Sequence, residues 1–111
     1  MWLATKHGFY SIVQKSADEF HVRSRVRKDL ENLLQLTDRR APIHDWSGAD
    51  YRYRIIVTKA GFTEVMAMLA TSLDYPNFKS AIARTPDQRD KLDAFHRIWA
   101  IMAHLQEAGD A

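Results

Sequence analysis

Apolar and polar residues alternate along the first quarter of the chain, which predicts strands of a sheet with one polar face. Two runs, Trp2 to Lys6 and Phe9 to Lys15, flank the dipeptide His7-Gly8. A two-residue connection with glycine second predicts a tight hairpin whose turn requires a positive φ. The register that follows from this turn sets Lys6 opposite Phe9 and Trp2 opposite Val13.

A third run, Phe20 to Val26, alternates most regularly and predicts a half-exposed strand. Phe20, Val22, Ser24 and Val26 share its apolar face. The opposite face carries only basic side chains, namely His21, Arg23, Arg25 and Arg27. A fourth strand, Tyr51 to Val57, repeats the pattern with Arg52, Arg54 and Ile56 on one side and Tyr51, Tyr53, Ile55 and Val57 on the other.

Helical periodicity governs the rest of the chain. A short helix is predicted from Arg27 to Leu36, and a second follows Thr58, which has the character of an N-cap residue. Between them, residues Thr37 to Ala49 are predicted to form a loop long enough to be functional. The turn Asp74-Tyr75-Pro76-Asn77 ends the second helix, and Phe78 to Ala83 forms one or two further helical turns.

The last helix has the strongest predicted start. Thr85 is expected to cap it, Pro86 to occupy its first position and Gln88 to complete a capping box. Gly109 is expected to end it. Its apolar residues, which include Phe95 and Ile101, occupy more than half of its circumference.

The element order β-β-β-α-β-α-α predicts a single α+β domain over residues 1–111. Its sheet is expected to be four-stranded and largely antiparallel, with the helices packed on one face. A right-handed crossover through the first helix would make the third and fourth strands parallel. An antiparallel pairing of these two strands is the alternative.

Composition excludes several classes of protein. The 111 residues are 46% hydrophobic and 27% charged, as in an ordinary globular domain. The absence of cysteine excludes disulfides, thiolate metal sites and cysteine nucleophiles. Neither a signal peptide nor an apolar run of roughly 20 residues is present, so we expect a cytoplasmic protein without a membrane partner. A net charge of +2 is too small to indicate nucleic-acid binding by itself.

The strand arginines are the most informative candidate site. If the two polar strand faces point the same way, they form one basic surface that could bind an acidic protein, a nucleotide or a nucleic acid. Tyrosines on these strands, Tyr10 and Tyr53, could add stacking surfaces. The simpler alternative is that these side chains only solvate an exposed face of the sheet. The predicted binding residues are Lys6, Arg23, Arg25, Arg52, Tyr53 and Arg54.

No catalytic, cofactor or metal motif is recognised. His96 and His104 are eight residues apart, about 12 Å along a helix, which is too far to share one ion. No Gly-x-Ser-x-Gly elbow and no glycine-rich phosphate loop occurs. One enzymatic alternative remains, a small metal-independent ribonuclease that uses His21 with the nearby arginines for acid-base chemistry.

Four motifs in order along the chain resemble a group of short uncharacterised bacterial proteins, a domain of unknown function. They are Trp2-x-x-Thr5-Lys6-x-Gly8-Phe9-x-Ser11, Asp50-Tyr51-x-Tyr53-Arg54, Asp74-Tyr75-x-Asn77-Phe78-Lys79 and His96-x-Ile98-Trp99. The resemblance implies a free-standing bacterial domain of this length. It implies no activity, cofactor or catalytic residue.

Self-association is the last expectation from the sequence. The first strand, Trp2 to Lys6, has only one charge to protect its edge. The last helix carries more apolar residues than one sheet can cover. Both features predict a homodimer, and Ile101 is the residue whose substitution by glutamate should split it if the helix forms the contact.

Overall fold

The structure is a computed structural model that describes residues 1–110. The strands are β1 (Trp2–Ala4), β2 (Phe9–Ser16), β3 (Glu19–Ser24), β4 (His44–Asp45) and β5 (Tyr53–Val57), and the helices are α1 (Arg27–Leu36), α2 (Lys59–Thr71), α3 (Phe78–Ala83) and α4 (Leu92–Asp110). Residues 1–110 form two compact units, the first from Met1 to Asp74 and the second from Tyr75 onwards. The single domain predicted over residues 1–111 stays a prediction.

The first unit contains an antiparallel sheet of five strands in the order β1-β2-β3-β5-β4. The α+β class and the antiparallel sheet are confirmed. The predicted number of four strands is wrong, because the segment predicted as a loop contains the two-residue strand β4. Two residues are too short to display an alternating pattern. The question of how β3 pairs with β5 is resolved in favour of the antiparallel arrangement.

The first hairpin differs from its predicted register by two residues. Trp2 pairs with Ser11 and Ala4 with Phe9. The turn spans four residues, and the Thr5 amide donates to the Gly8 carbonyl at 3.0 Å. Because the shift is even, every side chain keeps its predicted face. The positive φ expected at the turn glycine is wrong, since no glycine in residues 1–110 has one.

Helices α1 and α2 cover one face of the sheet. The buried cluster between these helices and the sheet combines side chains of five elements, β2, β3, β5, α1 and α2. Its members are Tyr10, Ile12, Phe20, Val22, Leu30, Leu33, Ile55, Val57 and Val65. This confirms for the first unit that helices pack on one face. The face assigned as apolar on β3 is also confirmed, because Phe20 and Val22 are buried.

The predicted helix starts have different outcomes. The Thr58 side chain accepts a hydrogen bond from the Gly61 amide at 3.1 Å, as expected of an N-cap. Thr85 does not cap α4, because its hydroxyl donates to the Ala81 carbonyl at 2.8 Å. A short 3-10 helix, Arg89–Lys91, intervenes before α4 begins at Leu92. Gly109 lies inside α4 rather than after it.

Candidate functional site: an arginine face on the sheet

On the sheet face opposite α1 and α2, one continuous row of side chains crosses all five strands. The register pairs Ser11 with both Trp2 and Arg23, and it pairs Arg54 with both Arg23 and His44. Directly paired residues project from the same face of a sheet. We call this surface the arginine face, because Arg23 and Arg54 lie side by side at its centre.

Arg54 is buried, with 5% of its surface exposed. Its two terminal nitrogens donate hydrogen bonds, one to the His21 ring Nδ1 at 3.1 Å and one to the Tyr51 carbonyl at 3.2 Å. Its Nε has no hydrogen-bond partner among the described residues. Burial, followed by the positive charge of Arg23, lowers the pKa of the Arg54 guanidinium below its ordinary value. This side chain therefore carries a desolvated charge with one unsatisfied donor.

His21 is also buried, although the alternation of β3 predicts an exposed side chain. A guanidinium can only donate, so the ring Nδ1 accepts from Arg54 and the ring Nε2 carries the proton. That Nε2 donates to the Glu19 carboxylate at 2.8 Å. Both ring nitrogens are thus engaged within the protein. The expectation that His21 stands exposed is wrong, because Glu19, Arg54 and the ring of Trp46 contact it.

The ring of Tyr51 contacts Arg23 and Arg25, and the carbonyl of Tyr51 accepts a hydrogen bond from Arg54. The Arg23 and Arg25 guanidinium carbons lie 4.8 Å and 4.1 Å from the centre of its ring, which is cation–π distance. Arg23 also donates to the Ser11 hydroxyl at 2.7 Å. Arg25 pairs with the exposed carboxylate of Asp50 at 3.1 Å, and this hydrogen bond raises the pKa of its guanidinium.

The other three predicted binding residues lie in different contacts. Lys6 pairs with Asp74 at 2.7 Å. Arg52 pairs with Asp45 at 2.7 Å and lies over the Tyr53 ring, and the ion pair lowers the pKa of the Asp45 carboxyl. Tyr53 packs against the core cluster beneath the helices. The structure therefore brings together Arg23, Arg25 and Arg54 from the predicted set, while Lys6, Arg52 and Tyr53 have other partners.

Sequence reasoning missed the aromatic part of this surface. Tyr10, predicted as a stacking surface, is fully buried and donates to the Asp29 carbonyl. The exposed aromatic ring beside Arg54 is that of Trp46, whose centre is 4.1 Å from the Arg54 guanidinium carbon. The Trp46 and His21 rings meet edge to face, with 6.1 Å between their centres. The only available signal was a tryptophan in a long polar loop, which does not indicate a place on the sheet.

A groove on a different part of the protein lies in the unit that contains α3 and α4. It is a wide, shallow groove with a volume of about 740 Å³, lined in part by Lys79, Arg89 and His96. Lys79 lies 3.4 Å from the His96 ring nitrogen and over the Trp99 ring. The groove is open, and no buried unpaired polar atom faces it among the described residues. The arginine face is therefore the stronger candidate.

Groups of metal ligands and membrane-spanning helices are both absent from the described residues. Within residues 1–110, no group of three or more histidines or carboxylates is arranged to hold a metal ion. In the same residues, no helix is both long and apolar enough to cross a membrane.

Comparison with family models, curated proteins and solved structures finds no match. The resemblance to a bacterial family and its motifs stays a prediction.

Proposed function

We propose that the protein is a non-enzymatic binding module that holds an acidic partner on the arginine face. The observation that carries this proposal is Arg54, a guanidinium with 5% exposure, an unpaired Nε and no carboxylate partner among the described residues. A buried charge normally requires a partner of opposite sign, because removing it from water costs several kcal/mol.

The position of Arg23 strengthens the argument. It lies directly across the strand pair from Arg54, and like charges at that position are destabilising. Arg23 bonds only to the hydroxyl and carbonyl of Ser11, so within residues 1–110 it also lacks a carboxylate. Two adjacent guanidiniums without a carboxylate oppose folding, and an anion held by the more exposed Arg23 offsets the positive charge of both. Guanidinium groups held on rigid strands suit carboxylate and phosphate oxygens.

Binding titrations test this proposal. Labelled single-stranded RNA and a labelled polyglutamate peptide are each titrated with the protein at about 50 mM and about 200 mM salt. We expect at least one polyanion to bind and to bind less tightly at the higher salt. Replacement of Arg23 by glutamine should weaken binding, whereas Arg40→Gln, which removes an exposed positive charge from the loop after α1, should not. No binding of either probe at low salt would overturn the proposal.

The alternative from the sequence, a metal-independent ribonuclease, stays untested, and no contact favours it. It requires a histidine that can exchange a proton with substrate. His21 is 4% exposed, and both its ring nitrogens already bond to Arg54 and Glu19. RNA incubated with the protein and a chelator should therefore remain intact. Cleavage that disappears in His21→Ala would establish the enzyme instead.

We also propose that the protein forms a homodimer, with α4 as the contact. Its large apolar side chains are 46% to 66% exposed: Ile98, Trp99, Ile101, Met102 and Leu105. Isolated apolar residues are common on surfaces, but a cluster of this size usually marks a contact. Light scattering over a dilution series should give twice 12.9 kDa, and Ile101→Glu should restore the monomer mass. His104→Glu adds the same charge on the side of α4 away from these residues, where its side chain is 77% exposed, and should leave the dimer intact. A monomer at every concentration would contradict the proposal.

The cytoplasmic location expected from the sequence stays a prediction.

A further inference from the structure

Trp46 forms an aromatic platform on the arginine face. One face of its ring rests on the Arg54 guanidinium at 4.1 Å, while 44% of the residue is exposed. Two hydrogen bonds fix the backbone of Trp46. The Trp46 amide donates to the Arg52 carbonyl at 2.8 Å, and the Trp46 carbonyl accepts from the Ala49 amide at 2.9 Å. The ring is therefore held over a buried cation, and its outer surface is available to a ligand.

Positive charge surrounds this platform. Arg54 lies beneath it, with its unpaired Nε, and its terminal nitrogen bonds to the Tyr51 carbonyl. The Tyr51 ring in turn holds Arg23 and Arg25. Asp50, which pairs with Arg25, is the only carboxylate in contact with these three arginines among the described residues. An exposed π-surface beside several guanidiniums is the combination that binds unpaired nucleotides.

We propose that the acidic partner is single-stranded nucleic acid, with one unpaired base stacked on the outer face of Trp46 and its phosphate held by Arg23 and Arg25. This inference rests on the proposed binding function and narrows its ligand. An acidic peptide uses the guanidiniums but has no base to stack on Trp46. A nucleic-acid strand uses both features, which is why the observations favour it.

The test measures the contribution of the platform. Fluorescence anisotropy follows a short labelled single-stranded RNA, the blunt duplex of the same strand and a labelled polyglutamate peptide. The single strand should bind most tightly, because bases in a duplex cannot stack on a side chain. Trp46→Ala should weaken its binding by roughly 5-fold to 150-fold, the usual effect of removing one stacking partner. Trp46→Phe should retain most of the affinity.

Leu73→Ala is the control, because Leu73 is a large apolar residue with 63% of its surface exposed and lies outside both the arginine face and α4. Its loss should leave RNA binding unchanged. Tryptophan fluorescence gives a further measurement that leaves the platform in place. In a variant that carries both Trp2→Phe and Trp99→Phe, Trp46 is the sole tryptophan. Bound RNA should quench its fluorescence emission.

The possible outcomes separate this inference from the proposed function. Equal RNA affinity of the parent and the folded Trp46→Ala variant, without quenching of Trp46, would overturn the stacking site and leave the binding function standing. Binding of the peptide without binding of RNA would overturn nucleic acid as the partner and support an acidic protein. Binding of none of the probes would overturn both proposals. Melting curves of each variant identify those that fail to fold, and the quenching experiment then decides.

Discussion

Replacement of Gly8 by alanine should destabilise the protein strongly, although Gly8 has ordinary backbone angles. A Cβ at this position would lie 2.5 Å from the Asp29 Cβ, 2.6 Å from the Asp29 Cγ and 2.8 Å from the Tyr10 hydroxyl. A Cβ atom essentially never approaches a non-bonded heavy atom this closely, so the hairpin turn or α1 must move. Asp29 is 1% exposed and Tyr10 is fully buried, so neither side chain can swing into solvent.

Two terms set the size of the effect. Forcing an extra carbon into a packed interior costs about 1–3 kcal/mol. Displacement of Asp29 also disturbs its carboxylate, which accepts from the Phe9 amide at 3.1 Å, and a hydrogen bond to a charged group contributes about 1.5–3 kcal/mol. We therefore expect Gly8→Ala to lower the free energy of unfolding by about 2.5–6 kcal/mol, the sum of the two terms. Domains of this kind have a total stability of about 5–15 kcal/mol.

Urea denaturation followed by circular dichroism measures this loss, and Gly48→Ala is its control. No atom lies within 4 Å of a Cβ at Gly48, so that substitution should change stability by less than about 1 kcal/mol and can be stabilising. The midpoint of Gly8→Ala should fall by about 1–3 M relative to Gly48→Ala, given the usual dependence of stability on urea. Equal midpoints for the two variants would refute the close approach of Gly8 to Asp29.

Three further predictions concern the core, the helix starts and an ion pair. Val22→Asp should abolish the cooperative unfolding transition seen by circular dichroism, because it places an unpaired carboxylate at a fully buried position; a normal transition would mean that the faces of β3 are misassigned. Thr58→Ala should lower stability in urea by about 1 kcal/mol through loss of the α2 cap, and Thr85→Ala should cost less, since its hydroxyl caps no helix; the reverse order would contradict the helix boundaries. The hydrogen bond from Lys6 lowers the pKa of the Asp74 carboxyl, so this pair stabilises the fold above the ordinary carboxyl range and loses its effect as the pH falls through the lowered value. An NMR titration should find the pKa of Asp74 raised towards its ordinary value in Lys6→Gln, and an unchanged pKa would show that the ion pair does not form.

Local patterns in the sequence determined much of the fold. The bounds predicted for α1, Arg27 to Leu36, and for α3, Phe78 to Ala83, agree with the structure. Thr58 begins α2 as its residue type predicts. The two faces of β3 follow from alternation, and the α+β class follows from alternation and helical periodicity together. These features depend on neighbouring residues along the chain, because caps and periodicity act over only a few positions.

The tertiary structure alone decided the pairing of the strands and the start of α4. A hairpin shifted by two residues keeps the same faces, so the pattern around Trp2 and Ser11 could not distinguish the two registers. The strand β4 exists only because β5 is beside it to pair with. Thr85 has the ideal sequence for a cap, yet its hydroxyl finds an acceptor in the preceding helical turn at Ala81, and the chain continues through a 3-10 segment instead.

The candidate site divides in the same way. The sequence alone determined that Arg23 and Arg54 alternate away from the apolar sides of their strands, because a period of two assigns each side chain to a face. Only the fold made them neighbours, by pairing β3 with β5. Only the fold buried Arg54 and laid Trp46 over it, since burial of a polar side chain depends on which distant segment covers it. A sequence pattern specifies a face, whereas the environment of a charge on that face is set by contacts between segments far apart in the chain.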